Sequence, residues 1–268
     1  MIRFDRFPQG KYKAVTLSYD DGRDYDRRMI EIMNRYGIRG TFHLNSVRLG
    51  KPGHLEPSEI STLFAGHEVS AHTVNHPFLN LSPTETIAAE ILNDRLALEE
   101  IVGYPVKGMS YPYGAWNNDV VTVLRAMGME YARATSAHGS FDMPSDFLVW
   151  SPTCHHRDML EYAHKFIDLQ TRHSKMALLY VWGHSYEFEN DQNWQQLEQF
   201  SQLIGNQADI WYATNSEIVS YMNAIRQLRC SVSGHIVHNP SAISVWLSVN
   251  GAAVEVLAGE MKKLDSFI

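Results

Sequence analysis

The order in which apolar runs and turn signals alternate constrains this chain more than any other feature. Residues 14–19 (AVTLSY) are β-rich and end in Asp20-Asp21-Gly22, a turn signal. A helical pattern follows, with Met29, Ile30, Met33 and Tyr36 apolar at helical spacing and Gly37 closing it. The alternation continues to the end of the main body. Strands are expected at 40–45, 67–72, 108–111, 131–135, 147–152, 177–182 and 210–213. Helices are expected at 57–66, 82–102, 119–127, 159–171, 194–204 and 215–229. In the longest, Ser82 reads as N-cap, Pro83 as the first helical residue and Glu85 as the third. Seven or eight strand–helix units imply an α/β fold, a parallel sheet with helical crossovers, and closure into a barrel suits the count. After residue 229 the texture changes to short strands. Asn250-Gly251 there is a strong hairpin signal. The chain therefore divides into a barrel over 1–229 and a small β-appendage over 230–268.

Composition narrows the function classes. A hydrophobic fraction of 44% over 268 residues supports a substantial core. The formal net charge of −7 argues against a nucleic-acid partner, which selects a basic face. No run of about 20 apolar residues exists, so no membrane span is expected. The N-terminus shows no apolar secretory segment, which makes a cytoplasmic location the expectation. Cys154 and Cys230 read as two reduced thiols. Thirteen histidines are many for this length, and the question is which of them converge.

Three features fall at the C-terminal ends of strands, where a parallel barrel keeps its active site. Asp20-Asp21 offers two adjacent carboxylates that point apart, one able to bind a metal while the other faces substrate. Alone, such a pair is a turn and helix cap. His72-Thr73-Val74-Asn75-His76 spaces two imidazoles four apart, on one face of a helical turn, where they can share one ion. A surface pair would read the same. His184 ends a strand in the second half and suits a general acid, although a structural histidine fits that place too.

Together these features resemble the polysaccharide deacetylase family (carbohydrate esterase family 4). Its first motif, Thr-Phe-Asp-Asp-Gly, reads here Ser18-Tyr19-Asp20-Asp21-Gly22. Its second, His-Ser/Thr-x-x-His, spans His72 to His76. Its third, Arg-x-Pro-Tyr, reads Ser110-Tyr111-Pro112-Tyr113. Its fifth, Leu-x-His, reads Trp182-Gly183-His184. The resemblance covers roughly residues 13–225. It implies a distorted, incomplete (β/α) barrel of about seven parallel strands. It makes Asp21, His72 and His76 ligands of one divalent metal, Asp20 the base, His184 the acid, and the Tyr113 backbone N–H part of an oxyanion hole. Zinc suits two imidazoles and a carboxylate, with cobalt, nickel or iron as alternatives. The substrate is then a carbohydrate or small-molecule amide, foremost an N-acetylated amino sugar or oligosaccharide.

The pattern also departs from the family. Ser110 stands where the third motif has arginine, and Arg133 on the next strand is a candidate to reach the same space. The fourth motif, Asp-x-x-Asp-Trp, has no clear match. Trp182 replaces the leucine before the histidine and would reshape the acyl pocket. Trp182, Trp150, Arg133 and Tyr113 are the candidate substrate-binding residues. A cyclic-amide or ureide hydrolase on the same barrel, and a non-catalytic carbohydrate-binding protein, are the competing readings.

Overall fold

The computed structural model describes residues 1–170 and 175–264. Its elements in chain order are β1 (Ile2–Arg3), β2 (Lys13–Asp20), α1 (Asp26–Arg35), β3 (Gly40–Leu44), α2 (Pro57–Leu63), β4 (Glu68–Ala71) and α3 (Thr84–Val102). Then come β5 (Gly108–Ser110), α4 (Asn118–Ala126), β6 (Tyr131–Arg133), β7 (Cys154–His155), α5 (Met159–Ile167) and β8 (Ala177–Gly183). The body ends with α6 (Ser185–Asn190), α7 (Trp194–Ile204), β9 (Ile210–Tyr212) and α8 (Asn215–Gln227). Five short strands close the described chain: β10 (Arg229–Cys230), β11 (Ile236–His238), β12 (Val245–Val249), β13 (Ala252–Val256) and β14 (Met261–Lys263).

The main sheet runs β6-β5-β4-β3-β2-β8-β7, with β9 also paired to β2, and every pairing is parallel. One edge of β2 carries β8 along Lys13–Tyr19. Its other edge carries β9 along Lys13–Val15 and β3 along Leu17–Asp20. On the way from β6 to β7 an isolated parallel bridge pairs Arg133 with Trp150. The expected distorted (β/α) barrel is therefore what the chain forms, with eight strands in its sheet.

Side-chain alternation at period two decides what each strand shows to each layer. Val15, Leu17 and Tyr19 on β2 join Phe42, Leu44, Val69, Ala71, Met109, Ala132, Leu179 and Val181 in the core under the helices. The alternate set points into the barrel, and much of it is polar: Thr16, Ser18, Thr41, His43, Glu68, Ser70 and Ser110 are all buried. These groups satisfy one another. Ser18 Oγ pairs with His43 Nε2 at 2.8 Å, while Glu68 accepts from Thr41 at 2.9 Å and from Tyr131 at 2.8 Å. The start of α8 plugs the bottom, where Ser216 N–H donates to Glu68 at 2.9 Å and Asn215 donates to Tyr180 at 2.7 Å. The inward row continues upward to Asp20, His72, Arg133 and His184. A single alternation thus packs the helices and aims the site residues at the mouth.

Four expectations change in detail. Residues 147–152 do not form a strand; Phe147–Val149 is a 3-10 turn and Trp150 makes only the bridge. Ser82 does not cap α3, because Pro83 takes the N-cap position and the Ser82 hydroxyl donates to the Phe78 carbonyl at 2.9 Å. Helix α6 was unforeseen, since six residues are too few to show a period. The expected helix end at Thr171 lies outside the described residues, as do 265–268. The β-rich C-terminal segment forms two antiparallel three-stranded sheets, β1-β12-β13 and β10-β11-β14, and β1 comes from the opposite end of the chain. Asn250 and Gly251 both take positive φ, 50° and 90°, as a two-residue hairpin between β12 and β13 requires. Val245, Leu247, Val249, Val254 and Val256 share one core with Phe7, Trp150, Tyr180, Ile218 and Val219.

Gly108 is required by close packing against its register partner on the adjacent strand: a Cβ there would lie 1.9 Å from the Tyr131 ring. Gly108→Ala should therefore lower unfolding free energy by about 1–3 kcal/mol or more, because Tyr131 must leave its bonds to Glu68 and Ser70. Urea denaturation of the two proteins measures this.

Candidate active site

The inward rows end in a cleft of about 530 Å³ at the C-terminal mouth of the barrel, lined by Asp20, Asp21, His72, His76, Tyr113 and His184 among others. Asp20 is the last residue of β2 and is only 2% exposed. Asp21 follows in a left-handed conformation (φ 81°), which turns its carboxylate toward β4 while its N–H bonds the His43 carbonyl at 2.9 Å. One Oδ1 of Asp21 lies 3.8 Å from His72 Nε2.

The two histidines of the second motif converge, but not on a helical turn. Residues 72–76 form an irregular loop in which Thr73 (φ 66°) and His76 (φ 57°) are left-handed. Side chains from elsewhere hold this conformation. Asn45 donates to the His72 and Thr73 carbonyls at 2.6 and 2.9 Å. Asp94 on α3 accepts the His72 N–H at 2.9 Å, Glu90 accepts the Asn75 N–H at 2.8 Å, and Thr73 Oγ1 accepts the His76 N–H at 3.0 Å. The imidazole centroids come to 4.7 Å. Ligand atoms of Asp21, His72 and His76 all lie within 4.8 Å of one another.

The donor chemistry suits a divalent ion. His72 Nδ1 sits 2.9 Å from the Ser110 carbonyl, so Nδ1 carries the ring proton and Nε2 is left bare. Burial, with the neighbouring His72, lowers the His76 pKa and so favours the neutral form, the one that ligates. A second cluster, His155, His156 and Glu187, has similar spacing but different tautomers. His155 Nδ1 accepts the Arg157 N–H at 3.2 Å, which places the proton on Nε2, the atom facing Glu187. In the first cluster His72 offers a bare nitrogen, and in the second His155 presents a donor.

Arg133 is fully buried, and its guanidinium donates to Asp20 Oδ2. It also lies over the Trp182 ring, 4.6 Å from the centroid. Burial alone would raise the Asp20 carboxyl, but the Arg133 charge, aided by His72, His43 and His184, holds it well below the usual carboxylate range. Ser110 Oγ donates to the other Asp20 oxygen at 3.0 Å and lies 2.6 Å from His72 Nδ1. Ser110 and Arg133 are register partners on β5 and β6. The guanidinium expected at position 110 is supplied from the adjacent strand, at the same level of the barrel.

Of the candidate substrate-binding residues, Tyr113 and Trp182 line the cleft. Tyr113 is left-handed (φ 60°) and 57% exposed, with its ring stacked on Phe78 at 3.9 Å and edge-on to His76 at 4.5 Å. Two assignments are corrected. Trp150 is 1% exposed and packs on Phe147, Tyr131 and Tyr180 inside the barrel, so it cannot reach substrate. Arg133 is likewise sealed beneath Asp20 and Trp182 and acts on the carboxylate instead of on substrate.

Sequence reasoning missed Glu187 as a partner of His184. Its carboxylate lies 3.4 Å from His184 Nδ1 and accepts the His184 N–H at 3.2 Å. Glu at the third position of a helix whose N-cap is His184 is the one available signal, and it resembles a capping box.

Comparison with known proteins agrees with this architecture. The polysaccharide deacetylase family profile matches residues 8–132. A peptidoglycan-N-acetylglucosamine deacetylase of Listeria monocytogenes is 28% identical over 44% of this chain and 26% of its own length. A protein of the same description from Bacillus cereus is 28% identical over 41% of this chain and 50% of its own. The matched region thus spans half or less of these relatives. A polysaccharide deacetylase-type structure from Mycobacterium smegmatis shares the fold, with TM-score 0.63 and 16% identity over 82% of this chain and 93% of that one.

The register pairing yields a swap test of the buried ion pair. Arg133→Ser should cost about 3–5 kcal/mol, because Asp20 is left buried without a counter-charge. Adding Ser110→Arg to that variant should recover a large part of the loss. Chemical denaturation of the three proteins reads both effects, and a double variant no better than the single would refute the exchange.

Proposed function

We propose that this protein is a metal-dependent hydrolase of carbon–nitrogen amide bonds that removes the acetyl group from an N-acetylated amino sugar or oligosaccharide. The observation that carries this reading is the convergence of Asp20, Asp21, His72, His76 and His184 on one cleft. The deacetylase descriptions of the relatives support the substrate class.

Asp21, His72 and His76 would hold one divalent ion, zinc being the best match to two imidazoles and a carboxylate. When bound, such an ion polarises a carbonyl and acidifies water. Asp20, kept ionised by Arg133, accepts a proton from the attacking water. Its orientation is fixed by Arg133 on one oxygen and Ser110 on the other. The Tyr113 backbone N–H, at the cleft rim, donates to the oxygen that gains charge. His184 protonates the departing amine, which is too basic to leave as an anion. Its protonated form is favoured here. Burial works against the charge, but the Glu187 contact and the fields of Asp20 and Asp21 outweigh it and raise His184 above its ordinary value. Trp182 lines the cleft beside these groups.

Elemental analysis should find metal in the wild-type protein and its loss in Asp21→Ala, His72→Ala and His76→Ala. Acetate release from N-acetylglucosamine oligomers should stop on chelation and return with zinc. Asp20→Asn should keep the metal and lose roughly 100-fold or more in kcat. Turnover of a cyclic amide by metal-free protein would favour the ureide-hydrolase reading. Sugar binding without hydrolysis, unchanged in Asp20→Asn, would favour a binding protein.

A further inference from the structure

The cluster beside the cleft is built around one oxygen atom. Glu187 Oε2 lies 3.1 Å from His155 Nε2, 3.3 Å from His156 Nε2 and 3.4 Å from His184 Nδ1, and it also accepts the His184 backbone N–H at 3.2 Å. Three imidazole nitrogens and a backbone N–H gather on a single carboxylate oxygen, more than a helix cap needs. The histidines around it are themselves fixed. His156 is buried, stacked between Phe188 (4.2 Å) and Tyr19 (5.9 Å). Gly183 is required to admit it, since a Cβ there would lie 2.1 Å from His156 Nδ1. Gln196 holds the same loop by donating to the His156 and Arg157 carbonyls at 3.1 and 2.8 Å. His155 Nε2 carries its proton, as the Arg157 contact shows, so it acts as a donor toward Glu187 and not as a metal ligand.

We propose that Glu187 is the positioning residue of the acid: its shared oxygen fixes the His184 tautomer, with Nδ1–H toward Glu187 and Nε2 left to carry the transferable proton, while His155 and His156 hold that oxygen in place. This rests on the reading of His184 as proton donor. Burial pushes the His156 pKa down to about 3, so its ring lies against that oxygen as a neutral group. Burial would raise Glu187, but its bonds to His155 and His184 and the nearby imidazole charges hold it ionised, below the ordinary carboxylate range. The other groups facing His184 are Asp20 and Asp21 from the end of β2 and the rings of Trp182 and Tyr186 at 5.8 and 5.1 Å. Arg23 lies over the far side of Tyr186.

The sign of the effect follows. A carboxylate on Nδ1 stabilises the imidazolium, so removing its charge lowers the pKa of His184. Weakening a competing donor on the same oxygen raises it. Glu187→Gln keeps the side-chain length and an acceptor for the His184 N–H, so a purely capping role predicts little change. The positioning role predicts a fall in kcat of roughly tenfold or more with KM nearly constant. It also predicts that the alkaline limb of the pH–rate profile moves about one unit to lower pH. His155→Ala, a partly exposed site, should move that limb the opposite way. Histidine ring NMR titration of His184 reads the same two shifts without substrate. Profiles and titrations that coincide with wild type in both variants would overturn the proposal. Opposite shifts by NMR in a protein that hydrolyses no amide would uphold the positioning role and sink the hydrolase reading. Activity that is indifferent to Glu187→Gln would do the reverse.

Discussion

A guanidinium and a carboxylate, both sealed from water, face each other at the mouth of this barrel. Neither Arg133 nor Asp20 could be buried as an ion without the other, because an unpaired charge at that depth costs several kcal/mol. The pair fixes much of what surrounds it. Trp182 covers the guanidinium, Ser110 takes the free oxygen of Asp20, and His72 is linked to Asp20 through the same serine. A carboxylate and an imidazole of the cleft are thereby locked to one strand network. The charge has to come from some strand at this level, and here β6 supplies it beside Ser110, its register partner on β5.

Much of the fold was legible because strand and helix periods differ so strongly. The strand residues Leu17, Phe42, Val69 and Leu179 announce themselves by apolar runs, and the parallel arrangement follows from the helices between them. Site residues at strand ends were legible for the same reason, since Asp20 and His184 terminate recognisable strands. Trp150 was misread because an apolar run tells that a residue is buried, not which layer it enters. Residues 147–152 are too short for the period to decide between strand and turn. The loop around His72 was misread as helical because a spacing of four fits two conformations, and the deciding partners, Asn45, Asp94 and Glu90, lie far away in sequence. Glu187 was underrated because its meaning depends on His155 and His156, about thirty residues upstream. Nothing local to Glu187 reveals them.

The two histidine–carboxylate clusters show how little ligand spacing says by itself. Both gather two imidazoles and a carboxylate within 4.8 Å. What separates them is the atom each ring offers. His72 gives its proton to the Ser110 carbonyl and turns a lone pair inward. His155 receives a backbone N–H and turns its proton inward. Partners outside each cluster therefore decide which ring turns an acceptor inward and which turns a donor inward, here toward the Glu187 carboxylate.

Strain is concentrated in the same place. Of the eight non-glycine residues with positive φ among the described residues, four are Asp21, Thr73, His76 and Tyr113, in the loops that build the cleft. Each such conformation costs about 1–3 kcal/mol and persists only where surrounding contacts over-determine it. Here those contacts are visible: the Asp21 N–H on His43, Asn45 and Asp94 on the His72 segment, Thr73 on His76, and Phe78 against the Tyr113 ring. A chain selected only for stability would relax these turns with glycine. Keeping a carboxylate, an imidazole and a phenol at left-handed positions places their side chains and amides where extended or helical backbone could not. The geometry of the cleft is thus set by hydrogen bonds made within the protein itself.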